Sequence, residues 1–156
     1  MKGFFANIYE WFGYFIFPYT KEFGNMLNGK DQSCNNGQGD NYYVLLGFTL
    51  IISCIIVFVT QYYLINRSNF NKKKHWWIMA LLLALINFMF AVIYTSNLIQ
   101  NESFCSDDKQ KISSIDCYLF GLDNAFWSLI LFVIITSIPF LRSKSSNCSE
   151  TTFWKP

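Results

Sequence analysis

The chain has 156 residues, of which 53% are hydrophobic and only 14% are charged. Soluble domains carry charge on about a quarter of their residues, so this composition argues against a soluble globular protein. The net charge of +2 gives no electrostatic support for a nucleic-acid partner, and the length suits a single domain.

The first predicted element is an amphipathic helix over residues 4–18, in which aromatic residues dominate. One face of this helix collects large apolar side chains, namely Phe4, Ile8, Trp11 and Phe15. The opposite side carries Asn7 and Glu10, which is the pattern of an amphipathic helix. Pro18 ends it. A signal peptide fits badly, because polar residues interrupt the apolar region and no small-residue cleavage site follows.

Two locations for this helix remain open. It either lies flat in the membrane interface or crosses the membrane as a fourth span that faces a pore in an oligomer. The segment is about 24 Å long, shorter than the apolar core of about 30 Å. Crossing would also place Glu10 in the bilayer, where a carboxylate is costly unless it meets water or a partner. In the second location, Asn7 and Glu10 are candidates to line the pore.

Three apolar segments follow, at residues 42–65, 76–99 and 118–141, each 24 residues long. A helix needs about 20 residues to cross the bilayer core. The first two segments contain no charged residue, and the third contains only Asp123. The pattern predicts an all-α membrane protein in which residues 1–156 form a single polytopic domain.

The charges between these segments predict the orientation. Residues 66–75 carry four basic residues and no acidic one, whereas residues 100–117 carry four acidic residues against two lysines. Short basic loops stay in the cytoplasm. We therefore expect residues 66–75 and the C-terminus on the cytoplasmic side of the cell (inner) membrane, with residues 100–117 and a polar loop at 21–41 outside.

Three cysteines, Cys34, Cys105 and Cys117, fall in predicted exterior segments, where a disulfide persists. A Cys105–Cys117 bridge would close a short loop. Cys34 is an alternative partner for either residue, and three free thiols are the remaining possibility. His75 is the only histidine, and no spacing indicates a metal site.

Small residues form a stripe on each of the last two spans. The second span has Ala80, Ala84 and Ala91 beside Asn87, and the third has Gly121, Ala125 and Ser128 beside Asn124. Small residues permit close helix contact, and amides form hydrogen bonds between helices. We expect the two stripes to pack together, with Asn87 reaching Ser128 or Asn124. The alternative is that Asn87 and Asn124 line a polar pathway.

Asp123 lies about one turn inside the outer boundary of the third predicted span. An acid within a span is a candidate functional residue, although at this depth the headgroup region would keep it solvated. In a ring of subunits, one Asp123 from each would form an acidic ring that favours cations.

The sequence contains no nucleophile–base pair, phosphate loop or cofactor motif, so we expect neither enzymatic activity nor a cofactor. A minimal helical bundle with a polar-striped first helix favours a homo-oligomeric channel or pore-forming protein in the lipid bilayer. Membrane permeabilisation by a bacterial defence or toxic effector is one such use. The alternative is a non-conducting accessory or scaffold subunit of a larger membrane complex. Phe153 and Trp154 make the C-terminal tail a candidate contact for a protein partner.

Overall fold

The computed structural model describes residues 2–29, 41–64, 73–101 and 112–138, and within these ranges the chain forms helices and no strands. The helices are α1 (Lys2–Ile16), α2 (Lys21–Leu27), α3 (Tyr42–Val59), α4 (Lys73–Asn101) and α5 (Ser114–Ser137). The chain continues from α3 into a π-helical end, Thr60–Leu64.

Three of these helices are long and apolar enough to cross a membrane: Tyr42–Leu64, Lys74–Gln100 and Ser114–Ser137. This finding confirms the predicted class, an all-α membrane protein. Their outward faces carry large apolar side chains, including Ile52, Ile56, Leu81, Leu85, Ile86 and Ile93. Such faces suit lipid tails, which are as apolar as leucine.

Helices α3 and α5 run in the same direction. Near their N-termini the rings of Tyr43 and Phe120 lie 6.0 Å apart. Two to three turns further along both helices, the Cys54 Sγ donates to the backbone oxygen of Ser128 over 3.6 Å. The parallel arrangement requires a return helix between them, and α4 supplies it.

Helix α4 runs antiparallel to α3 and α5. Its C-terminal Tyr94 contacts Tyr42 at the start of α3, with ring centroids 6.2 Å apart. Its N-terminal Trp76 contacts Phe132 near the end of α5, at 5.4 Å. The starts of α3 and α5 therefore share one end of the bundle with the end of α4. We call this the α2 end, because α2 is attached to the first turn of α5 there.

Helix α1 packs against α3 and α5, so it belongs to the bundle. The ring of Phe5 occupies the space beside Gly47, where any Cβ would overlap it, and it also contacts Phe48. Ala6 and Tyr9 are each 2% exposed. Much of the predicted apolar face points outward, with Phe4, Trp11 and Phe15 at 64%, 75% and 91% exposure, while its Ile8 is half-buried.

Helix α2 corrects the prediction that residues 21–41 form a polar loop. The side chain of Thr20 caps it by accepting a hydrogen bond from the Phe23 amide. Phe23, Met26 and Leu27 are buried, because their i, i+3, i+4 spacing places them on one helical face. Residues 30–40 lie outside the described part of the chain.

Helix α5 begins at Ser114, four residues before the predicted span, because Ser113 and Asp116 form a capping box. The Ser113 amide donates to Asp116 Oδ2 over 2.9 Å. The same carboxylate accepts hydrogen bonds from Thr20, at 2.9 Å from its amide and 3.2 Å from its hydroxyl. One side chain therefore joins the first turn of α5 to the N-cap of α2. The predicted residues 139–141 lie outside the described ranges.

Candidate functional site: a polar network inside the bundle

A chain of hydrogen bonds connects α1, α5, α4 and α3 in the interior. The Tyr9 hydroxyl of α1 donates to Asn124 Oδ1 of α5 over 2.7 Å. Asn124 Nδ2 donates to the backbone oxygen of Asn87 in α4 over 3.0 Å. Asn87 Nδ2 donates to Ser53 Oγ of α3, also over 3.0 Å. We call these four residues the polar network.

Local backbone oxygens complete the network. Asn87 Nδ2 also donates to Leu83 O over 3.0 Å. The Ser53 hydroxyl lies within donor distance of both Leu50 O, at 2.9 Å, and Asn87 Oδ1, at 3.2 Å. A buried amide without partners costs free energy in an apolar interior. These contacts allow Asn87 to be buried, and they hold it at the junction of α3 and α4.

Close packing of α4 against α5 makes the network possible. A Cβ on Gly121 would come within 2.6 Å of Val92 and 3.0 Å of Phe88, so any larger residue would force Val92 to move. The other predicted packing residues lie inside or at the edge of the bundle: Ala80 and Ala91 are buried, and Ala84 and Ala125 are half-buried. Ser128 is buried too, but its hydroxyl donates to Ala125 O of its own helix over 2.7 Å.

The predicted pore-lining residues occupy different environments. Asn87, Asn124 and Asp123 are buried inside a single chain, Glu10 is half-buried and Asn7 is exposed. The structure therefore brings Asn87 and Asn124 together and leaves Asn7 outside the network. Tyr9 and Ser53 were not predicted to belong to the site. Tyr9 lies three residues after the small Ala6 and so on the same helical face, and this spacing could have indicated that Tyr9 is buried.

Asp123 is enclosed, which corrects the expectation that headgroups solvate it. It is 0% exposed, and among the described residues neither carboxylate oxygen has a hydrogen-bond partner. Phe120 and Phe126, three residues before and after it, contact Tyr19 and Phe17 respectively. The segment between α1 and α2 thus lies against this part of α5, which shields the carboxyl group from its surroundings.

No family model matches the chain. No curated protein and no solved structure matches it either. The geometry of this chain is therefore the basis for inferring its function.

The structure does not support the predicted disulfide at Cys117, the one of the three candidate cysteines within the described ranges. Cys117 is a free thiol, 1% exposed, on the buried side of the first turns of α5. Cys34 and Cys105 themselves lie outside the described residues. Within the described ranges there is also no group of three or more His, Cys, Asp or Glu side chains that could hold a metal ion.

The chemistry of this interior is that of helix association. The polar network contains amides and hydroxyls, which donate and accept hydrogen bonds but do not ionise in the physiological range. Such groups between membrane helices contribute modest stability and fix which faces meet. Asp123 is the acidic group closest to the network along α5.

Proposed function

We propose that the protein is a non-conducting accessory or scaffold subunit of a larger membrane complex. The observation that supports this most is the placement of Asn87 and Asn124, whose side chains are bonded inside one bundle. A pore between subunits needs polar groups on the subunit surface. The outward faces of the spans carry large apolar side chains instead, which suit contact with lipids and with other membrane helices.

The first helix supplies a candidate contact surface for such a complex. Trp11 and Phe15 project from α1 at 75% and 91% exposure, while Ala6 and Tyr9 attach the helix to the bundle. Aromatic side chains are favoured anchors in protein interfaces. The C-terminal tail with Phe153 and Trp154 is proposed as a second contact.

A homo-oligomeric channel or pore-forming protein, used as a defence or toxic effector, is the second candidate. Asn7 is exposed and Glu10 is half-buried on α1. An oligomer that gathered copies of α1 would therefore collect acidic groups, and such a ring attracts cations.

We also propose the orientation indicated by the loop charges. Residues 66–75 and the C-terminus would be cytoplasmic, which places the α2 end of the bundle outside the cell membrane. The four basic residues within residues 66–75 support this arrangement.

Reconstitution into liposomes separates the two candidates. For the accessory subunit, we expect cation flux equal to that of protein-free liposomes at every protein-to-lipid ratio. Flux above that level would contradict this proposal. It would support the channel if Glu10→Lys changes the flux and the matched variant Glu22→Lys on α2 leaves it unchanged.

Site-specific photo-crosslinking in native membranes tests for the partner. A photoreactive residue at Phe15 should give an adduct of one defined mass with another protein. The same residue at Ile86, which faces outward from α4 at 57% exposure, is the matched control and should give lipid adducts. Lipid adducts alone at both positions would contradict the accessory role of α1.

A further inference from the structure

A cavity of about 210 Å³ lies between α1, α3 and α5. Its wall is almost entirely carbon, and the side chains that shape it include Phe4, Ile8, Leu50, Ile51, Ile130 and Ile134. An apolar cavity offers water no hydrogen-bond partners, so it stays dry and accepts apolar molecules. The cavity therefore excludes ions and polar ligands.

The described part of α1 is shorter than α3 and α5. Helix α1 begins at Lys2, and its Phe5 ring lies beside Gly47. Helix α3 and its π-helical end continue for 17 residues beyond Gly47, to Leu64, which is about 25 Å. The described part of α1 therefore covers the groove between α3 and α5 only at the α2 end.

The cavity is continuous with the lipid-facing surface of the bundle. Phe4 and Ile134, which both line it, are 64% and 53% exposed. In a protein whose helices cross a bilayer, the material next to these side chains is lipid. The flexible acyl chains of the bilayer are therefore the apolar groups that meet the opening of the cavity.

We propose that this cavity binds one acyl chain of a membrane lipid, which extends along the groove between α3 and α5 from the N-terminal end of α1. Leu50 and Ile51 of α3 and Ile130 of α5 contact the acyl chain, and Phe4 bounds it on the lipid side. This site is independent of whether the protein conducts.

Native mass spectrometry of the full chain released from nanodiscs tests the site. We expect the parent protein to retain one phospholipid per chain. Ile51→Trp and Ile130→Trp each fill the cavity, and retained lipid should fall at least about tenfold, which corresponds to losing contact with about two methylene groups. Ile86→Trp adds the same volume on the outward face of α4 and should retain lipid like the parent.

A second measurement on the unmodified protein keeps the proposal testable if the filled variants do not fold. Palmitoyl lysophosphatidylcholine, with one long chain, should raise the thermal midpoint in detergent, and the hexanoyl analogue should not. Equal midpoints with the two lipids would overturn the proposal. Folded Trp variants that retain as much lipid as the parent would also overturn it, as would a parent dimer that carries no lipid.

Discussion

The hydrogen bond from Tyr9 to Asn124 gives a quantitative test of the polar network. Asn124→Leu removes two interhelical bonds, one to Tyr9 and one to the backbone of Asn87. Bonds of this kind contribute about 0.6 kcal/mol on average and up to about 1.7 kcal/mol. The Tyr9 hydroxyl also stays buried without its acceptor, which costs about 1 kcal/mol or more. We expect the free energy of unfolding to fall by about 2 to 4 kcal/mol.

A double-mutant cycle separates the shared bond from other effects. Tyr9→Phe alone should cost about 1 kcal/mol. The double variant should cost less than the sum of the single variants by about 1 kcal/mol or more, because no hydroxyl is left without its acceptor. Unfolding is measured by titrating SDS into detergent micelles. Ser128→Ala is the control and should cost less than about 0.5 kcal/mol, because its bond lies within one helix and persists when helices separate.

The cycle has a clear negative outcome. The loss of unfolding free energy in the double variant could equal the sum of the losses from Tyr9→Phe and Asn124→Leu within about 0.3 kcal/mol. That result would show that the two residues do not interact. The role given to Tyr9 in attaching α1 to α5 would then be wrong.

Three further predictions follow from the packing and the orientation. Gly47→Leu should destabilise the bundle by about 1 to 3 kcal/mol, because its side chain would overlap Phe5. Adding Phe5→Ala should recover most of that loss in the same SDS titration, and no recovery would refute the contact. Asp123→Leu should raise the free energy of unfolding by about 1 to 3 kcal/mol, since it removes a buried carboxyl group, and a decrease would show that the carboxyl group stabilises the fold. In single-cysteine variants, a membrane-impermeant maleimide should label Cys117 only after SDS unfolding. It should label Cys148, which lies in the C-terminal segment proposed to be cytoplasmic, only in inverted vesicles. Rapid labelling of folded Cys117 would contradict its burial, and labelling of Cys148 in intact cells would contradict the orientation.

The membrane class could be predicted from the sequence because the bilayer imposes a simple condition. A helix that crosses it must remain apolar for about 20 residues, and residues 42–65, 76–99 and 118–141 satisfy this without a neighbouring element. Only the boundaries differ. The third helix begins at Ser114, four residues before the predicted span, because the capping box of Ser113 and Asp116 starts it there.

The hydrogen-bond partners of the buried amides were less predictable than the membrane class. Helical periodicity places Asn87 and Asn124 on faces suited to packing, but it does not fix the axial offset between helices. In the structure Asn124 donates to the backbone of Asn87, while the Asn87 side chain turns to Ser53. The orientation of α1 was harder still to predict, because large side chains lie on both of its sides. Trp11 and Phe15 face outward, whereas Tyr9 is buried beside the small Ala6.

The connection of α1 and α2 to α5 has a consequence for biosynthesis. Tyr9 is separated from Asn124 by 115 residues, and Thr20 from Asp116 by 96. The first two helices therefore leave the ribosome long before α5, which carries both partners. Contacts across such long stretches of chain form late, and chains that have not completed them expose surfaces open to misassembly. A nascent chain arrested before residue 114 therefore holds α1 with its contacts to α3 available, such as Phe5 beside Gly47, but without either of its partners on α5.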